Sequence, residues 1–160
     1  IEPALKPAVS IGEHPRVIVM ATPLTVKGQK LHELLGRYAK SADVTALGCP
    51  GLMEFVEDGN LDGPEVKAYL RTLLLPHMEK PVDAIVLGCT HYPFLKRTIQ
   101  EVAGTGIRIL DGGEGTARQL ERRLKEENLL KAPGRKGQIE YRESLPEKLP
   151  LCSRLMAEPW

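Results

Sequence analysis

The sequence is poor in the features that carry a chain into a membrane or staple it together. Its longest apolar runs, 17–21 and 84–87, fall far short of the roughly 20 residues needed to span a bilayer. No basic segment leading into an apolar core opens the chain, so no secretory signal is read. Cysteine is sparse: Cys49, Cys89 and Cys152 are an odd number at unrelated spacings, which argues against both a disulfide framework and a zinc site. A reducing cytoplasm is the default expectation. Charge of either sign is also not in excess. Lys and Arg total 22 against 21 for Asp and Glu, so the summed field gives no reason to expect binding to nucleic acid or an anionic membrane surface.

What is present is an ordinary globular composition, 160 residues with 42% hydrophobic and 27% charged, enough to bury one good core or two small ones. The chain starts at Ile1 and runs into Glu2-Pro3-Ala4-Leu5-Lys6-Pro7-Ala8. Residues 1–15 read as a connector rather than a natural beginning, with further chain expected upstream.

Strand and helix signals then alternate. The β-branched run 16–21 reads as a buried strand. Over 27–40, Leu31, Leu34, Leu35 and Tyr38 fall at helical spacing and predict an amphipathic helix. A second strand at 44–47 stops at Gly48-Cys49-Pro50, and Leu52, Met53, Val56 and Glu57 suit a short helix. Val66, Leu70, Leu73 and Leu74 mark another helical face, which Pro76 should end or kink. The cleanest strand, 84–87, leads through Gly88 into a helix carrying Phe94, Leu95, Ile99 and Val102 on one side. A fourth strand, 108–110, is followed by a helix with Ala117, Leu120 and Leu124 expected to face inward. Beyond Asn128, 131–137 reads as a surface loop and 138–142 alternates as an edge strand would, while 149–160 carries no assignment. This order predicts an α/β fold, a mainly parallel sheet with helices on both faces.

In such sheets the ligand lies outside the carboxyl ends of the strands. Four of these ends are legible, at 22–25, 48–50, 88–93 and 111–115. Cys89 is the sharpest candidate, because it follows a buried strand, precedes a helix N-terminus, and has His91 two residues on. A helix N-terminus and an imidazolium both favour thiolate, the form that acts as base or nucleophile. Position alone leaves the alternative open, since most free cysteines are small buried hydrophobes. The Asp111-Gly112-Gly113-Glu114-Gly115 turn has two acids and no Lys, so it reads as a strand-to-helix turn rather than a phosphate loop.

Gly88-Cys89-Thr90-His91-Tyr92-Pro93 resembles the signature around the second catalytic cysteine of glutamate racemases. The opening Pro-containing segment resembles that family's mid-chain connector, and Ala21-Thr22-Pro23-Leu24-Thr25 its threonine-bearing substrate loop. Cys49-Pro50-Gly51-Leu52 through Glu57 resembles its Cys-Pro segment ending in a glutamate. The match runs in the family's order as far as the helix after residue 113. The family's earlier aspartate-serine-glycine turn and its asparagine-threonine segment with the first catalytic cysteine are not in this chain, so a C-terminal portion is expected. The expected division is 1–15 connector, 16–110 a complete α/β lobe, and 111–160 a segment belonging to the other, mostly absent lobe.

The resemblance implies cofactor-independent two-base racemisation of glutamate, L to D, for peptidoglycan precursor synthesis, without pyridoxal phosphate or metal. It implies that Cys89, His91 and Glu57 serve catalysis and that Thr22, Thr25 and Thr90 bind the substrate. It also implies a homodimer as the candidate assembly and no activity from this portion alone. Without it, Glu57 reads as a solvated helix-end acid and the threonines as helix caps. Cys49 is expected to be a small residue packed at a strand end, Cys152 has no functional case, and His14, His32 and His77 read as surface or helix-face residues. Rival readings are an aspartate or hydantoin racemase of the same superfamily, against which His91 argues, or a non-catalytic lobe.

Overall fold

The computed structural model describes residues 1–131, 134 and 137–157. The chain divides into two compact units, Ile1–Gly113 and Glu114–Trp160. The first is built on a four-stranded parallel sheet in the order β2-β1-β3-β4, with β1 at Arg16–Ala21, β2 at Asp43–Gly48, β3 at Ala84–Leu87 and β4 at Arg108–Asp111. Helices flank it: α1 (Glu2–Ala8), α2 (Pro23–Lys27), α3 (Gln29–Tyr38), α4 (Leu52–Glu57), α5 (Pro64–Leu74) and α6 (Lys96–Ala103). The expected α/β class is what the structure shows.

Strand alternation accounts for both covered faces. Val17 and Val19 of β1 and Ala84 and Val86 of β3 join Ala4, Leu5, Ala8, Leu31 and Leu34 in one cluster beneath α1 and α3. Ile18, Met20, Ile85 and Leu87 point the other way and are equally buried. That second face is covered by α4, α5 and α6, whose buried residues include Leu52, Val56, Val66, Leu70, Leu74 and Ile99. A sheet buried on both sides needs nearly continuous apolar strands, which is what β1 and β3 supply.

Within the segment read as a connector, residues 2–8 form α1. Pro3 lies in the first turn, where a missing N–H is harmless, and the Ala4 and Leu5 amides donate to the Ile1 carbonyl at 3.0 and 2.9 Å. Burial of Ala4, Leu5 and Ala8 overrides the poor local propensity of two prolines in seven residues. No pattern in the sequence marks the short helix α2. It exists because Thr22 caps it, its Oγ1 accepting from the Thr25 amide at 3.3 Å.

The second unit holds α7 (Gly113–Glu126, its first residue closing the first unit), a 3-10 turn at Pro146–Lys148 and α8 (Leu149–Ala157). Here two expectations are corrected. The α7 stripe of Ala117, Leu120 and Leu124 is not packed inward: no residue of α7 is buried and Leu120 is 59% exposed. The helix is instead laced by local ion pairs, among them Lys125 with Glu121 at 2.6 Å, Arg123 with Glu126 at 2.9 Å, and Arg118 with Glu114. Residues 138–142 form no strand, because a strand needs a partner's amides and carbonyls and among the described residues none pairs with them. Their alternation leaves Ile139 in water, 72% exposed. The unassigned tail is helical over Leu149–Ala157. The expected loop 131–137 lies partly outside the described residues. No described helix is long and apolar enough to cross a membrane.

If α1 is an integral layer, Leu5→Ala should cost about 2–5 kcal/mol, as for other fully buried leucines, read from urea unfolding. A loss under about 1 kcal/mol would mean that α1 is a detachable appendage.

Candidate active site

The chain passes from β1 to β2 on one side and from β2 back across β1 to β3 on the other. The carboxyl ends of β1 and β3 therefore flank the point where the winding reverses, the place where an open α/β sheet leaves a crevice. Gly88 closes β3 there, its amide donating to the Met20 carbonyl at 2.7 Å. A Cβ on Gly88 would stand 2.7 Å from that same oxygen, so only glycine fits. The next residue is Cys89.

After Cys89 the chain enters a 3-10 turn, Tyr92–Leu95, with His91 at its N-cap. This brings His91 Nδ1 to 3.8 Å from Cys89 Sγ. On its far side His91 Nε2 meets Glu57 Oε1 at 2.8 Å, from the last residue of α4. With Glu57 ionised, the carboxylate accepts from Nε2–H, and the Nδ1 lone pair faces the thiol. A proton leaving Cys89 has a ready acceptor, and the imidazolium so formed is held by a carboxylate. Side-chain exposures of 27% for His91 and 47% for Glu57 place the pair at the surface, where an ion pair adds about 1 kcal/mol or less to stability. An acid at the negative end of a helix dipole is also unfavourable.

The structure joins Cys89, His91 and Glu57, three residues singled out from the sequence. Thr22 and Thr25 are brought to each other, their Oγ1 atoms 2.9 Å apart, at the end of the neighbouring strand β1. Thr90 lies exposed between Cys89 and His91. Cys49 sits at the end of β2 with its amide on the Ala21 carbonyl at 2.9 Å. It is 2% exposed, and burial, followed by lesser influences, pushes its thiol up to about 12. Cys49 is therefore a packed, protonated thiol. Cys152 is a half-buried residue of α8.

Two tyrosines that the sequence reading gave no role, Tyr92 within the 88–93 motif and Tyr69 outside any motif, also pack at this edge. Tyr92, fully buried, donates its hydroxyl to the Cys49 carbonyl at 3.4 Å, and Tyr69 of α5 donates to the Pro50 carbonyl. Asp111, at the end of β4, accepts from the Gly113 amide at 2.9 Å and pairs with Lys96 at 3.1 Å. Burial opposes its ionisation, but that amide and the Lys96 ammonium together hold its carboxyl below the usual range. Among the described residues no group of three or more His, Cys, Asp or Glu is placed to hold a metal ion.

With iodoacetamide at about pH 8, Cys89 should be alkylated at least about tenfold faster than Cys49, and denaturant should erase the difference; comparable native rates would contradict the burial of Cys49. A depressed Asp111 stabilises the fold above its unfolded-state value near 3.8, and that contribution is lost as pH falls through its lower folded value. Asp111→Asn should therefore destabilise at pH 6 and progressively less toward about pH 2, measured by urea unfolding at each pH.

No family model matches the chain. It is 48% identical over 147 residues to the glutamate racemase of Clostridium perfringens strain SM101, an alignment covering 92% of this chain and 56% of that protein. The solved structure of Escherichia coli glutamate racemase in complex with L-glutamate and the activator UDP-MurNAc-ala superposes with a TM-score of 0.75 and 30% identity, over 95% of this chain and 59% of that one. The Francisella tularensis glutamate racemase in complex with D-glutamate gives a TM-score of 0.68 at 25% identity, over 79% of this chain and 48% of that one. The chain thus spans a little over half the length of the curated relatives it matches. By sequence over nearly all its length, and by the Asp/Glu-racemase fold of its sheet and helices, the chain is a homologue of the glutamate racemases.

Proposed function

We propose that this chain carries one half of a cofactor-independent, two-base site that interconverts L- and D-glutamate. The observation that carries the reading is the Cys89–His91–Glu57 relay at the reversal point of the sheet. Racemisation removes the α-proton from one face of the substrate and returns a proton to the other. Two acid/base groups on opposite faces are therefore required. Cys89 is one of them. It gives its thiol proton to His91 Nδ1, and the resulting thiolate takes the α-proton; in the reverse direction the Cys89 thiol donates to the carbanion. Glu57 steadies the imidazolium through Nε2.

Cys49 cannot be the second group, since a buried thiol held protonated to about pH 12 supplies no base. The second thiol belongs to the remainder of the protein, outside this chain. In the same reading 16–110 is one α/β lobe, 111–160 belongs with the other lobe, and the exposed Leu120 face of α7 is made to be covered there. Thr22, Thr25 and Thr90 serve the substrate's carboxylates through hydroxyls and backbone amides. The two relatives' structures, which hold L-glutamate and D-glutamate respectively, support glutamate as the substrate. The product would feed peptidoglycan synthesis in the cytoplasm, and a homodimer is the assembly this reading carries.

A single thiolate returns a proton to the face it came from, so the isolated chain should exchange without inverting. In heavy water, NMR should show Cys89-dependent deuterium exchange at Cα of one glutamate enantiomer, no net racemisation, and an exchange rate about ten- to a hundredfold lower in Glu57→Gln. Exchange that survives Cys89→Ser, or equal exchange of both enantiomers, would count against the reading.

A further inference from the structure

Glu57 reaches His91 from a helix that is poorly held by its own means. α4 has six residues, Leu52–Glu57, and its N-cap Gly51, at φ 80°, offers no side chain to the first amides. A helix this short is not stable on its own, and only Leu52 and Val56 anchor it in the core. Yet the 2.8 Å contact between Glu57 and His91 requires the last residue of α4 to be fixed to within a fraction of an ångström.

We propose that Tyr69 of α5 is a positioning residue for the relay: it clamps both ends of the segment that delivers Glu57 and thereby sets the protonation behaviour of His91. Its hydroxyl donates to the Pro50 carbonyl, in the turn just before α4. Its ring packs on Phe55, two residues before Glu57, with centroids 5.6 Å apart at 48°, a geometry favourable for aromatic pairs. Tyr92 grips the preceding carbonyl, that of Cys49, at 3.4 Å, so two hydroxyls from different elements pin consecutive carbonyls of one turn. The Cys49 carbonyl also accepts from the Leu52 amide at 3.5 Å, which ties the same turn to the start of α4.

The effect of Tyr69 is geometric and not electrostatic. Among the described residues, the titratable groups hydrogen-bonded to His91 are Cys89 and Glu57. Around the turn stand Cys49, Tyr69 and Tyr92, all shifted upward first by burial and therefore neutral near pH 7, together with Glu54 and Asp58 on either side of Glu57 in the chain. Removing the Tyr69 hydroxyl changes no charge near His91. Any change in the His91 titration must come from movement of Glu57. The inference rests on the relay described above as the working unit of the site, so the test includes a variant that probes the relay itself.

The His91 ring is titrated by NMR in the whole 160-residue chain, assigned with His91→Gln, beside thermal unfolding and the pH profile of Cys89 alkylation. A carboxylate on Nε2 favours the imidazolium, so Glu57→Gln should lower the His91 titration midpoint. Tyr69→Phe keeps the ring and loses the hydroxyl; it should lower that midpoint by about half a pH unit, and Tyr69→Leu should lower it as far as Glu57→Gln does. The alkylation profile of Cys89 should follow in each case. If Glu57→Gln moves the midpoint while Tyr69→Phe lowers only the melting temperature, Tyr69 is a structural residue and the inference is overturned while the relay stands. If Glu57→Gln leaves the midpoint unmoved, the relay and the inference fall together. Tyr69→Phe, which retains the Phe55 contact, decides the matter should the leucine variant not fold.

Discussion

The contact between the Gly88 amide and the Met20 carbonyl is the constraint from which the site follows. It fastens β3 to β1 at their carboxyl ends, at 2.7 Å and with no space for a side chain. Because β1 is central and its other neighbour is β2, the same strand end also receives the Cys49 amide, on the Ala21 carbonyl. Three strand ends are thereby drawn to one edge, and the loops leaving them have no choice but to converge. Cys89 stands in this edge because it is the residue after the glycine. The close approach is a backbone feature, so the thiol's position is set by the sheet and not by contacts of its own.

The contacts made by the converging loops contribute little to stability. The Cys89, His91 and Glu57 contacts are half-exposed, and the stabilising free energy of this fold resides in the two apolar layers on either side of the sheet. The partial exposure is itself needed. A thiol buried like Cys49 is driven upward to about 12 and rests as an inert hydrophobe, whereas a base must remain within reach of both solvent and substrate. Two cysteines at the ends of the strands on either side of β1 thus differ in burial, Cys49 packed away and Cys89 partly exposed.

The two compact units are stabilised in different ways. Ile1–Gly113 buries a sheet on both faces, while in the residues after Gly113 the described helices bury no residue fully and α7 relies on ion pairs along its own surface. Leu120 of α7 accordingly stays in water.

The amino-acid sequence by itself determined the class of fold, because buried parallel strands need apolar β-branched runs and amphipathic helices need helical spacing, and both patterns are local. It also singled out Cys89 and His91 as candidates, since strand ends carry ligands whatever the details of packing, whereas the threonines were marked only by the family resemblance. It failed where a neighbour decides the outcome. Residues 2–8 looked irregular for their prolines and became a helix through burial of Leu5; 138–142 alternated like a strand and remained unpaired; Leu120 looked inward-facing and stayed in water. The sequence, even with its family resemblance, could name Glu57 but could not place its carboxylate on His91 Nε2, nor find Tyr69, because residues far apart along the chain meet only when α4 and α5 pack on the sheet. Tertiary structure alone decided those contacts, since hydrogen bonds between distant side chains depend on positions in space that no local pattern encodes.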